Sequence, residues 1–378
     1  LNKRLYFSVF NHGQFYPDIF ALYTFDTAGN FLGKFPNHGL NYHIQPYCIA
    51  VNPDGSVYLG GKAYAPTGIG YPAINGDYYR SICLVSQEGY EVATPIHHYL
   101  HDVYDLILAE SGAVYLIGEA INEDGEAWTG GYEAREGYVN FRKINADGTT
   151  SWAVDLGHTT ALPVLWRDSS NNVYVAITAN FEGKIYKFNS AGNLQFYNHS
   201  TNYAVDCIAV RESNKHVYVG QYRYDPNGDI CNICHYDDAG GFIASALIGG
   251  MNPVGFEMPE NRFLHMKINA NFIYVSATNR FYQLDFDLAV VEERSSFFSP
   301  ISGFAVDNDN ECYLTHFPDG GFSSSNDYYR LMRFDLTDAV WTNESFAIWA
   351  QSFDYGPLLG WTRIALATVD LPSLPLLL

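Results

Sequence analysis

A single hairpin pattern recurs along the chain, and its recurrence restricts the fold to an array of small antiparallel sheets. The first copy is VNPDGSVYLGG at 51–61, preceded by CIAV at 48–51. Pro53, Asp54 and Gly55 suit a type I or II turn, so the apolar residues on either side pair as two strands. Ile49, Val51, Val57, Tyr58 and Leu59 crowd both faces instead of alternating, which is the pattern of a sheet packed on both sides. Counterparts occur at 105–118, 163–175, 206–220, 265–276 and 303–314. A second hairpin follows each of these copies, at 81–92, 139–149, 184–196, 230–242, 280–291 and 329–340, and one more lies at 20–32. Each unit therefore reads as four short strands.

The aligned Tyr58, Tyr115, Tyr174, Tyr218, Tyr274 and Tyr313 recur at unequal intervals. A stacked solenoid needs a regular rung, whereas radial blades tolerate loops of any length at their rims. The N-terminal copy has a second strand at 4–10 but nothing before it to serve as its innermost strand. RIALATV at 363–369 has the length and apolarity of that missing strand. The sequence thus predicts an all-β fold, a seven-bladed β-propeller of four-stranded antiparallel blades forming a single domain over 1–378. Strand 363–369 completes the first blade, and 371–378 is a short tail. Closure of this kind leaves no open sheet edge between the ends of the array.

The D-x-x-G turn of the first hairpin and the F-D-x-x-G-N of the second, as in FDTAGN at 25–30, resemble NHL-type and related bacterial β-propeller repeats. The resemblance spans essentially the whole chain. It implies a fold whose members serve as scaffolds and binding platforms and occasionally as enzymes. The stretch KINADGTTSWAVDLG at 143–157 is similar to a quinoprotein repeat, but the other units do not echo it, so no quinone, and no other cofactor, is expected.

Charge narrows the partners. Lys and Arg total 21 against 41 Asp and Glu, a net charge of −20, which repels phosphate backbones and anionic lipid. Nucleic acid is not an expected partner. No apolar run reaches the length of a spanning helix, so membrane insertion is not expected either. The chain starts at Leu1 with no charged-then-apolar leader, so any export signal is expected to be already gone or to lie outside this sequence. Scarce Lys, abundant Tyr, Asn and Gly, and the sequons at Asn198 and Asn343 fit an extracellular or virion surface.

Chemistry is expected on the face where the long connections emerge. These include 11–18, 65–79, 121–137, 222–229 and 316–327, and they are rich in Tyr, Trp, Asn, Ser and Gly. Rigid rings with adaptable polar neighbours make recognition surfaces. The residues assigned to ligand binding are Tyr71, Tyr78, Tyr79, Trp128, Tyr132, Tyr222, Tyr224 and Phe317, with a protein or glycan as partner.

Other motifs read as structural. His38, His43, His97, His98, His101, His158 and His199 fall in the connections between blades, without the converging ligand pattern of a metal site. Cys231-Asn-Ile-Cys234-His235 matches the c-type haem attachment pattern. It lies on a strand, however, where residues three apart point to opposite faces and both thiols cannot reach one porphyrin. All six cysteines are expected to be free and mostly buried, because strands two apart lie beyond disulfide reach. Asp307, Asp309 and Glu311 occupy a hairpin turn and lack the glycine of a calcium loop. No G-x-S-x-G or P-loop is present, so neither hydrolase nor nucleotide chemistry is supported. The sequence favours a non-enzymatic surface recognition or assembly module, such as a component of a phage virion, filament or appendage. The alternative is an enzyme, lactonase-like or lyase-like, with a metal-assisted site at the channel mouth.

Overall fold

The strand that completes the first sheet comes from the opposite end of the chain. The computed structural model describes residues 2–12, 19–35, 43–64, 82–85, 91–92, 100–120, 137–159, 161–179, 182–200, 203–223, 229–251, 264–277, 280–294, 301–307, 311–316, 330–335, 344–347 and 359–369. In it Leu359–Val369 runs antiparallel to Asn2–His12 along its whole length, from Asn2 opposite Val369 to His12 opposite Leu359. The sheet continues through Ile19–Asp26 and Phe31–Phe35. The pairing expected for 363–369 is present, and it begins earlier, at Leu359.

Four more sheets are four-stranded antiparallel meanders, over 164–200, 204–251, 264–294 and 301–347. The remaining strands form one eight-stranded sheet. It joins the meander from His43–Val51 to Glu91–Val92 with the meander from Leu100–Leu108 to Thr150–Thr159, through one bridge between Lys62 and Asp102. The sequence-expected second and third blades are therefore fused there. The physical reason is local: Leu100–Leu108 slips register between Leu100 and Val103 and again between Val103 and Asp105, and these bulges turn Asp102 toward the neighbouring meander. The first strands touch in cyclic order: His43–Val51, Leu100–Leu108, Val164–Arg167, Ala204–Val210, Leu264–Ile268, Ile301–Val306, Leu359–Val369 and back to the start. This is the all-β architecture of a propeller with four-stranded antiparallel blades.

The core lies between neighbouring sheets. One cluster joins Cys207, Ala209, Tyr218, Cys231 and Ile233 to Met266, Ile273 and Val275 of the next sheet. Another joins Tyr174, Ala176 and Ile185 to Val205, Val217 and Val219. Both faces of a sheet are thus dry, which explains the missing alternation. Every residue of Val173–Ala179 is buried, and each Val or Ile so placed contributes roughly 1.5–3 kcal/mol over leaving it in water.

The recurrent tyrosines stand in the second strands and are buried. Tyr6 belongs with them: it is fully enclosed in the second strand of the closing sheet, although its flanks in LYFSVF hid the likeness. Three of their hydroxyls are tied to residues at or beside turns. Tyr174 donates to Asp168 Oδ2 at 3.2 Å, Tyr313 to Glu311 Oε2 at 2.5 Å and Tyr218 to the carbonyl of Phe286 at 3.1 Å. Burial pushes the Tyr218 and Tyr274 hydroxyls up to about 12.

The turns explain why D-x-x-G and N-x-x-G recur. In the first hairpin Gly55 N–H donates to the Asn52 carbonyl at 2.9 Å and Asn52 N–H to the Ser56 carbonyl at 2.8 Å. Gly55 has φ +84°, a left-handed bulge residue that a Cβ would strain. Asp54 Oδ1 accepts from the backbone N–H of Ser56 at 2.8 Å. The turn is complete within itself.

Candidate functional site

The two ends of the ring are built differently. The turns between first and second strands, and between third and fourth, are tight, as at 52–56, 145–149, 168–172, 189–193 and 237–241. Four of the segments that leave the other end are much longer, running from Tyr64 to Ile82, from Ala120 to Gly137, from Met251 to Leu264 and from His316 to Arg330, while those from Ala179 to Glu182 and from Ala277 to Arg280 are short.

Polar groups at the tight-turn end are spent on holding neighbouring sheets together. Glu212 accepts from Ser169 Oγ at 2.6 Å and from Lys215 Nζ at 2.5 Å. Lys143 Nζ and Trp152 Nε1 both donate to the Ser190 carbonyl, at 3.3 and 3.2 Å. Lys187 Nζ donates to the Asp238 carbonyl at 3.2 Å. Lys3 Nζ reaches Asp307 Oδ2 at 2.9 Å, tying the closing sheet to the 301–347 sheet. Asp307 Oδ1 meanwhile accepts from Glu311 N–H at 2.9 Å, so this carboxylate is a turn and inter-sheet strut, while Asp309 lies outside the described residues.

Of the residues assigned to ligand binding, Tyr71, Tyr78, Tyr79, Trp128, Tyr132, Tyr224 and Phe317 lie outside the described residues. The strand ends bounding their segments, Tyr64 and Ile82, Ala120 and Gly137, Arg223 and Asp229, His316 and Arg330, are all at the end opposite the tight turns. Tyr222 differs from the loop position expected of it. It belongs to Val217–Arg223, opposite Ala204 and Cys231, and packs half-buried against the core shared with the 264–294 sheet. Strand pairing extends through Tyr222 because Arg223 still finds a partner in Ile230.

The histidines are likewise more strand-bound than their spacing suggested. His43, His101, His158 and His199 fall within strands, and His38, His97 and His98 lie outside the described residues. Among the described residues, no group of three or more His, Cys, Asp or Glu is placed to hold a metal ion. Cys231 and Cys234 sit on one strand, as expected. Cys231 packs toward the 264–294 sheet and Cys234 toward the 164–200 sheet, on opposite faces. Cys48, Cys207, Cys231, Cys234 and Cys312 are free and buried; burial pushes the Cys312 thiol well above its ordinary range. Asn198, the first sequon, donates Nδ2 to the Gly240 carbonyl at 2.6 Å. Its amide is a strut between sheets, which a glycan on that nitrogen would disturb.

Sequence reasoning missed a histidine pair. His216 Nδ1 and His235 Nε2 are 2.8 Å apart, and His235 stacks on Tyr218 at 4.3 Å between ring centroids. One ring must donate and the other accept, so the bond requires a neutral imidazole. Burial, and then the His216 charge, hold His235 below the ordinary histidine range. The unfolded chain takes up this proton near the ordinary value of about 6.5, before the folded protein does. Stability from His235 is therefore fully present above that value and is lost as pH falls toward the lowered one. Urea midpoints should fall on acidification through this window, and His235→Gln should flatten the fall. An unchanged slope in the variant would assign the acid sensitivity to other groups.

No protein-family model matches the chain, and no curated protein matches it in sequence. Solved structures do. A protein from Lactobacillus plantarum aligns over 97% of this chain and 100% of its own, with TM-score 0.56 and 14% identity. A functionally unknown protein from Desulfotomaculum acetoxidans DSM 771 aligns over 96% of this chain and 99% of its own, with TM-score 0.53 and 10% identity. The Dos1 propeller aligns over 82% of this chain and 86% of its own, with TM-score 0.47 and 12% identity. At such identities the likeness shows fold alone; that the fold is a β-propeller rests on the ring of antiparallel sheets itself.

Proposed function

We propose that the chain is a seven-bladed ring, akin to NHL-type bacterial propellers, that serves as a non-enzymatic recognition or assembly module. Its partner is a protein or glycan bound at the long-loop end. Three features support seven blades. The meanders at 43–92 and 100–159 share only the Lys62–Asp102 bridge, the cycle of first-strand contacts includes a strand from each, and Tyr58 and Tyr115 hold the same position in the two. The observation that carries the function is the asymmetry between ends. At one end polar groups are tied into inter-sheet struts; from the other leave the segments holding Tyr78, Trp128 and their neighbours. Exposure on an extracellular or virion surface, within a larger particle or appendage, is part of this proposal. It is supported by the acidic, Tyr-rich and Lys-poor composition.

The test is a glycan-array screen together with capture from the native assembly, followed by Trp128→Ala and Tyr78→Ala. A central ring should cost about 1–3 kcal/mol of binding and leave the melting temperature almost unchanged. If both variants melt much lower while binding persists, the rings are packing cover and the recognition surface lies elsewhere.

A further inference from the structure

Six of the first strands line a central cavity of about 390 Å³ that opens to solvent, within the range of small-molecule sites. Each first strand of the separate four-stranded sheets pairs on one side only, so its other edge faces the channel and presents backbone donors and acceptors. The formally charged residues lining the cavity are Asp105, Arg167 and Lys267, with His265 near Lys267 in sequence. This inverts the balance of a chain with twice as many acids as bases.

The one carboxylate is already engaged. Asp105 Oδ1 accepts from Leu106 N–H at 3.0 Å and Oδ2 from Leu165 N–H at 2.8 Å, the latter on the next sheet. The cations belong to separate sheets, Arg167 to Val164–Arg167 and Lys267 to Leu264–Ile268. Lys267 Nζ stands 5.7 Å from the Trp166 ring centroid, reaching past the intervening 204–251 sheet. Arg167, beside Trp166, donates one of its N–H groups to Asn171 Oδ1 at 3.3 Å; a guanidinium carries five. Trp166 Nε1 is buried without an acceptor, so the indole forfeits no hydrogen bond by turning toward one that enters. Arg167 and Lys267 both stand near the ends of their first strands, at the tight-turn mouth.

We propose that this channel binds a small polar oxyanion, its carboxylate or phosphate head held by Lys267 and Arg167 and its hydroxyls by the strand edges. The site is separate from the long-loop end. The protein's overall negative field opposes such a ligand at long range. That field is screened over roughly 8 Å at physiological salt, whereas the channel cations act at contact.

Three probes with similar bodies test this by calorimetry on the full chain: gluconate, glucose 6-phosphate and neutral glucose. At least one of the two anions should bind saturably below about 10 mM, more weakly as salt rises, while glucose does not bind; which anion prevails distinguishes carboxylate from phosphate. Lys267→Gln should weaken binding about tenfold, and Arg167→Gln should do the same. Lys143→Gln, at the outer struts, should leave binding unchanged. Melting curves identify any variant that fails to fold, and the salt dependence of the unaltered protein stands without them. No saturable binding by either anion, binding of glucose as tight as theirs, or unchanged affinity in a folded Lys267→Gln protein would overturn the proposal.

Discussion

Deleting residues 359–378 is expected to convert the folded ring into an aggregating species whose melting transition lies more than about 10 °C lower. The deletion removes the partner of Asn2–His12 along its entire length. It also removes the strand that touches both His43–Val51 and Ile301–Val306. Unpaired N–H and C=O groups along Asn2–His12 would form an open edge, which templates pairing with other chains. Leu5 and Tyr6, fully buried in the intact sheet, would lose cover at the same time. Size-exclusion chromatography and thermal melting read the effect. A synthetic 359–369 peptide added in trans should restore part of the lost stability by supplying the strand. A truncated protein that elutes and melts as the full chain does would remove closure from the account.

The second large effect is expected at Gly118. This residue lies in Val114–Ala120, opposite Val103 on one side and Asn140 on the other. A Cβ there would overlap the Asp102 carbonyl oxygen and press on Leu100 Cδ1. The obstacle is backbone, held by the bulged strand that bridges the two meanders, so it cannot swing aside as a flexible side chain would. Gly118→Ala should cost about 3 kcal/mol or more. Gly157→Ala is the control: its φ of +80° strains any side chain, but nothing stands within 4 Å of the added carbon. It should cost only about 1–2 kcal/mol. Urea midpoints compare the two, and equal costs would show that the close approach at Asp102 yields readily.

The hairpins were legible in the sequence because each carries its own turn chemistry. An Asp or Asn that accepts from its own turn, followed by Gly in the left-handed region, defines the two strands beside it without help from the rest of the chain. Closure was legible for a different reason: an orphan second strand at one end and an unused apolar strand at the other allow one simple topology. The fusion near Asp102 was not legible. It arises from register slips in Leu100–Leu108, and a bulge leaves no mark on hydrophobic pattern. Tyr222 reads as loop because YRYDPNGD is polar and turn-rich, yet strand pairing continues into Arg223. The His216–His235 pair joins residues 19 apart in the chain, and the meeting of Lys267 with Trp166 joins residues far more distant. Strand register within the 204–251 sheet brings the histidines together, and the order of the sheets brings Lys267 to Trp166.

The most direct test of a ring closed by its own terminus is amide hydrogen exchange on the intact protein. Amides of Leu359–Val369 should exchange about as slowly as those of Val173–Ala179, whose side chains are wholly buried, because both segments would open only with the ring. Fast exchange across 359–369, with protection kept at 173–179, would mean that the last strand is a detachable tail, and closure would be contradicted.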